Sequence, residues 1–256
     1  MGQPEQIGNE WQRTITAYSE PERRAVLASF FKTGKGEYGE GDVFIGVRVP
    51  NVRAASKAFA DAPFETFEQM LASEVHEFRL GALLALVMRY KSQKRDDAAR
   101  ADTVAFYLRH LESANNWDLI DLSAPYILGG ELLRSPAETR EILLQQYRSG
   151  LLWRQRAAVV ASLLPIRFEN LDFALEICGE SVKHEHDLMR KATGWVLREV
   201  GKKKREDLDA FLIENIASLS SITLSYALEK HSPEERRQWR ERRKNAIATV
   251  NIPQSA

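Results

Sequence analysis

Apolar positions recur at intervals of three and four residues through nearly the whole chain, as in Phe78-Arg79-Leu80-Gly81-Ala82-Leu83-Leu84-Ala85-Leu86-Val87 and Leu208-Asp209-Ala210-Phe211-Leu212-Ile213. That spacing places them on one face of a helix. Only Val43 to Val49 reads as extended chain. Breaks fall at Ser19-Glu20-Pro21, Asp61-Ala62-Pro63, Ser135-Pro136, Arg148-Ser149-Gly150, Gly201 and Ser232-Pro233. Several pair a capping residue with a proline at the first helical position. The pattern predicts a succession of helices of roughly 10 to 17 residues joined by tight connections.

Three of these segments read alike: FRLGALLAL from 78, QRAAVVASL from 155 and MRKATGWVL from 189. In each an arginine precedes a small, apolar helix. Arg79, Arg156 and Arg190 stand 77 and 34 residues apart, close to two periods and then one of a HEAT-like helix pair. The frame leaves room for a further unit near residue 117, where NWDLIDLSA carries Trp117 and Asp118 in place of the arginine. The expected fold is therefore all-α, a curved solenoid of HEAT-like helical repeats whose inner helices share one concave face. One domain is expected over 1–256, with a helical core at 9–246 and a tail at 247–256. On that face Trp117 and Asp121, four residues apart, stand one turn above the other with Asp118 beside them.

Composition adds limits rather than direction. The chain has 256 residues, 44% of them hydrophobic, enough for a sizeable core. Its 36 basic and 36 acidic residues cancel, so a polyanion surface would require charge segregated onto one face. Cys178, in the run FALEIC, is the one cysteine; internal disulfides are excluded, in keeping with a reducing compartment. The N-terminus lacks an apolar signal region, and no run reaches about 18 apolar residues. No membrane association and a cytoplasmic location are expected.

Three motifs do not carry the chemistry they resemble. Gly34, Gly36 and Gly39 match G-x-G-x-x-G, but a helix precedes them and Glu37, Glu40 and Asp42 would repel phosphate; a flexible loop is expected. His184 and His186, two apart on a helix, point away from each other and make a poor metal pair. The basic runs Lys202 to Arg205 and Arg236 to Lys244 read as solvated helix faces unless a polyanion lies nearby. No metal and no cofactor are expected.

Trp117, Asp121, Arg156 and Trp195 then form a set with a shared chemical logic. Indole faces attract a delocalised cation at roughly 0.5 to 2 kcal/mol each. A carboxylate stabilises positive charge nearby, and an arginine holds a phosphate in a fixed fork. A cationic centre on a sugar-phosphate backbone would satisfy all four. The alternative is structural: tryptophans packed in repeat helices, and an Asp–Arg ladder between neighbouring repeats.

The segments FIGVRVPNVR, HEFRLGALLAL, WDLIDLSAPYILG, LLWRQRAAVV, RKATGWVLREV and LSYALEK occur in this order in the chain. In order and spacing they resemble the AlkD family of HEAT-like-repeat DNA glycosylases, from about Phe30 to Arg237. The resemblance implies hydrolysis of the N-glycosidic bond of cationic N3- or N7-alkylpurines in double-stranded alkylated DNA. It carries the catalytic carboxylate to Asp121, lesion contacts to Trp117, Trp195 and Phe30, and DNA contacts to Arg156, Arg190, Arg48 and Arg53. Asp118 has a secondary role as orienter, helix-charge partner or gate. A monomer is expected. The chain departs from the family at Phe30, where many relatives have tyrosine, in its longer glycine-rich loop, and at Ser221 and Ser225, which replace two arginines. A non-catalytic HEAT scaffold binding structured DNA or a protein is the competing reading.

Overall fold

The computed structural model describes residues 2–250; residues 251–256 of the expected tail lie outside them. Contacts divide the chain into two compact units, Met1–Ile127 and Leu128–Ala256. The first holds α1 (Gln3–Thr16), α2 (Arg24–Ala28), α3 (Val49–Ser56), α4 (Phe64–Leu71), α5 (His76–Ser92), α6 (Asp97–Arg109) and α7 (Trp117–Asp121). The boundary falls within α8 (Ala124–Arg134). The second holds α9 (Pro136–Arg148), α10 (Leu152–Ala161), α11 (Leu163–Arg167), α12 (Asp172–Ser181), α13 (Asp187–Lys203), α14 (Arg205–Asn215), α15 (Ser221–Ala227) and α16 (Pro233–Val250). The all-α class expected from the spacing is what the chain adopts. Among the described residues the extended segment at 43–49 forms no strand, only an isolated parallel bridge from Val43 to Val75. No described helix is long and apolar enough to cross a membrane.

Proline and polar caps start the helices. Pro4, Pro50 and Pro136 occupy first-turn positions of α1, α3 and α9, where a missing N–H costs nothing. Asp96, Asn116, His186 and Ser220 accept amides at the starts of α6, α7, α13 and α15, satisfying donors a helix cannot pair internally.

In the first unit α5 is buried almost all round from His76 to Val87, as a central helix must be. Against it pack α3 and α4, with α1 behind. Trp11 anchors this core, stacking on Phe59 at 5.1 Å and donating its indole N–H to Ser56 Oγ at 3.0 Å. In the second unit α13 plays the same part, contacting α10, α12, α14 and α15. Cys178 on α12 is fully buried, and burial pushes its thiol pKa up. Gly194 is what lets α15 approach α13: a Cβ there would lie 2.6 Å from Thr223 O and 2.5 Å from Tyr226 Cβ. Gly194→Ala forces the two helices apart and is expected to lower stability by about 1 to 3 kcal/mol. Urea unfolding reads this directly; an unchanged midpoint would show that the close approach carries no energy.

Candidate active site

The short helix α7 owes its shape to its two ends. Asn116, extended and fully buried, accepts the Trp117 amide on its side-chain oxygen at 2.9 Å. Six residues after Asn116 the chain turns at Leu122, and Pro125 stands in the first turn of the next helix. On this single turn and a half stand Trp117, Asp118 and Asp121. Trp117 and Asp121 are half-buried, whereas Asp118 is 9% exposed. Below the turn Tyr107 Oη lies 2.8 Å from Ser123 Oγ. Burial raises the Tyr107 pKa, and the charge of Asp121 adds to the effect. The Asp121 carboxylate is thus close enough to the buried phenol for its charge to be felt there.

Trp117 stacks on Phe31 with ring centroids 5.2 Å apart. Phe31 continues onto Phe44 at 5.1 Å and His76 at 4.9 Å. The wall that ends at Trp117, one helical turn from Asp121 in sequence, is thus a run of rings drawn from the loop after α2, the segment before α3, the start of α5 and α7.

The glycine-rich loop is anchored rather than loose. Glu37 accepts the Gly34 amide at 2.9 Å and Glu40 the Gly36 amide at 2.7 Å. The N–H groups a nucleotide phosphate would use are already taken by carboxylates. Gly39 N donates to Lys32 O at 2.8 Å. At the end of the loop Asp42, its side chain 3% exposed, receives Arg79 Nη2 on one oxygen and Asn116 Nδ2 at 3.0 Å on the other. His76 Nδ1 lies 3.2 Å from that second oxygen, and His76 Nε2 lies 2.9 Å from Asp118 Oδ2. Beyond Asp42 the buried Glu77 carboxylate takes the amides of Ile45, Gly46 and Val47 at 2.8 to 3.2 Å. The extended segment thus finds its partner in a side chain and not in a strand. Gly46 is required where it stands: its φ is +88° and a Cβ would lie 2.2 Å from Glu20 O.

Desolvation opposes a charge on His76, but the hydrogen bonds to Asp118 and Asp42 outweigh it and raise its pKa to about 9. Burial likewise works against ionisation of Asp42, yet His76, Arg79 and Asn116 together hold its pKa below the usual value.

In the second unit Arg156 is 4% exposed and donates Nη1 to Leu188 O at 2.6 Å, tying α10 to α13. Arg190 is partly exposed, with Nε on His184 O at 3.0 Å and Asp187 nearby at 3.5 Å. Trp195, one turn further along α13, is half-buried. His186 caps α13 through Nδ1 and Leu188 N, and His184 Nε2 lies 3.0 Å from Gln155 Oε1. The two histidines serve the helix start.

A family model described as DNA alkylation repair enzyme matches residues 11–231. The chain belongs to this family. Among solved structures the chain is similar to one titled a predicted DNA alkylation repair enzyme from Enterococcus faecalis. The TM-score is 0.64 and the identity 18%, over 84% of this chain and 97% of that one; at that identity the likeness speaks for the fold. Among curated proteins none matches.

For a DNA alkylation repair family member, the burial of the repeated arginines is the main revision. Arg79 and Arg156 were expected to project onto a shared surface, but both are 4% exposed and turned onto carbonyls, Arg79 onto Ser73 O at 2.7 Å. A guanidinium bonded to a neighbouring helix or turn ties the repeat together before it can meet a ligand. Arg48 is exposed and forked onto Glu20 at 3.0 and 3.1 Å; Arg53 is half-exposed on α3. Phe30 is 64% exposed, and it is the next residue, Phe31, that meets Trp117. Phe31, Asp42, Phe44 and His76 escape the sequence reading. Their signal was the pair His76-Glu77, polar residues heading an otherwise apolar helix.

Proposed function

We propose that this DNA alkylation repair family member is a DNA glycosylase that hydrolyses the N-glycosidic bond of cationic N3- or N7-alkylpurines in duplex DNA. The observation that carries the reading is the position of Asp121 one helical turn from Trp117, which ends a continuous ring wall, and near a buried phenol. Alkylation gives the purine its positive charge, so the C1′–N bond breaks with its electrons passing to the base, and no proton is needed by the leaving group. The sugar develops oxocarbenium character. Asp121 faces that charge as a fixed anion and accepts the proton of the water that adds to C1′. Trp117, backed by Phe31, meets the cationic nucleotide and keeps water from it. Trp195 offers DNA a further aromatic contact. The chain works as a monomer and a single domain, and no step requires a metal or organic cofactor.

Phosphate contacts fall to Arg48, Arg53 and Arg190, whose guanidiniums reach solvent, while Arg156 holds α10 to α13. Affinity then follows counterion release, and each lost contact flattens the salt dependence by about one unit of slope. Arg190→Ala is expected to weaken binding about equally across sequences. Affinity that stays constant from low to physiological salt would remove phosphate gripping from the model.

The deciding experiment is release of alkylbase from methylated duplex DNA by the purified protein. Release supports the glycosylase reading; binding without release supports a scaffold.

A further inference from the structure

Resting on the roles given above to Trp117 and Asp121, we infer that His76 is a positioning residue, clamping Asp42 of the glycine-rich loop to Asp118 of α7 so that the ring wall stays in register with the catalytic carboxylate. His76 itself is 2% exposed, too enclosed to meet a substrate. Both of its ring nitrogens face carboxylate oxygens, at 3.2 and 2.9 Å, and those oxygens only accept. A neutral imidazole donates once and leaves one carboxylate facing a lone pair. The imidazolium donates twice.

The charges around it balance only in that form. Asp42 faces it from the loop, Asp118 from α7 and Arg79 from its own helix, giving two anions and two cations. The other neighbours, Phe31 and Phe44, present ring faces at 4.9 and 4.8 Å, which favour a cation and do not titrate. Removing one proton leaves a net negative charge in a buried cluster, the arrangement proteins tolerate least. Asp118 meanwhile accepts the Leu119 amide on its other oxygen at 2.9 Å, and Asn116 couples the same Asp42 to the Trp117 amide. Moving the loop therefore moves the start of α7 and the ring it carries. This pathway runs through one helical turn to Asp121.

The folded His76 pKa of about 9 lies above the ordinary 6.5, so its stabilisation is complete below pH 6.5 and is lost as pH rises through 9. Asp42 has the opposite sign: its pKa is lowered from 3.8, so its contribution is present above 3.8 and lost as pH falls through the folded value. The clamp is closed between those limits.

Full-length wild type, His76→Gln and Asp42→Asn test this in two ways. In DNA-free protein, trypsin cleavage after the exposed Lys32 and Lys35 reports loop docking. It is expected to be slow in wild type at pH 7, to accelerate roughly 10-fold or more towards pH 10, and to be fast in both variants at either pH. On methylated duplex, both variants are expected to keep DNA affinity within about 2-fold while single-turnover base release falls roughly 10- to 100-fold. Asp42→Asn opens the loop side alone, so it reads the clamp even where His76→Gln unfolds. Equal protection in wild type and both variants, or unchanged base release, overturns the inference. A wild type that releases no base overturns the glycosylase reading only, and the clamp then stands or falls by the proteolysis.

Discussion

Asp121→Asn is expected to abolish most release of 7-methylguanine while leaving fold and DNA affinity nearly intact. Asparagine keeps the size and the hydrogen-bonding reach of aspartate on the half-buried last position of α7; what it removes is the charge. If that charge faces an oxocarbenium ion, its loss costs about 3 to 4 kcal/mol of transition-state stabilisation and slows the chemical step roughly 100- to 1000-fold. Ground-state binding rests on other groups and stays close to wild type. Single-turnover kinetics on methylated duplex separates the two. Asp118→Asn acts through the loop clamp and is expected to cost less, because Asp118 is turned towards His76 and the Leu119 amide. Wild-type rates in both variants would end the assignment of Asp121.

Glu77→Ala is expected to be the most destabilising single change in the first unit. The carboxylate is 2% exposed and serves three successive backbone amides, those of Ile45, Gly46 and Val47. Among the described residues no strand lies beside this segment to take them over. Truncation leaves the amides facing a cavity, at about 1 to 3 kcal/mol for each buried donor left unpaired and with incomplete additivity, so a loss of about 3 to 5 kcal/mol is expected. Glu77 also stands in the first turn of α5, where a negative charge meets the positive end of the helix. Glu77→Gln keeps one acceptor but turns an amide donor towards other donors, and falls between the two. Urea unfolding decides it; a variant within about 1 kcal/mol of wild type would mean that solvent satisfies the amides as well as the carboxylate does.

The helices were legible because their signal is local. Spacing, prolines and caps mark α5, α9, α13 and α16 without reference to anything distant. The length of α7 was not, although Pro125 already limits it. Phe30 and Phe31 show the limit at a single residue: both lie in the same apolar run, and which of them meets Trp117 depends on how the chain leaves α2. The arginine frame was legible as repetition but not in direction. Arg79 turns inward because Asp42 stands 37 residues before it, and Arg156 because the Leu188 carbonyl lies 32 residues after it. Charge patterning along the chain carries no such distances. The same holds for the loop at 33–42, whose glycines suggested freedom while Glu37, Glu40 and Asp42, read there only as phosphate-repelling, are the groups that fasten it.

The buried thiol of Cys178 has a consequence for survival under the conditions that make this family necessary. Methylating electrophiles attack thiolates far faster than thiols, and the chain's one sulfhydryl is kept protonated and enclosed between α12 and α13, near the Thr193 carbonyl. Reactivity of cysteine follows thiolate fraction and access. During an alkylating exposure the protein therefore presents no reactive thiolate among its described residues, and its one cysteine is shielded from the reagent that damages the DNA.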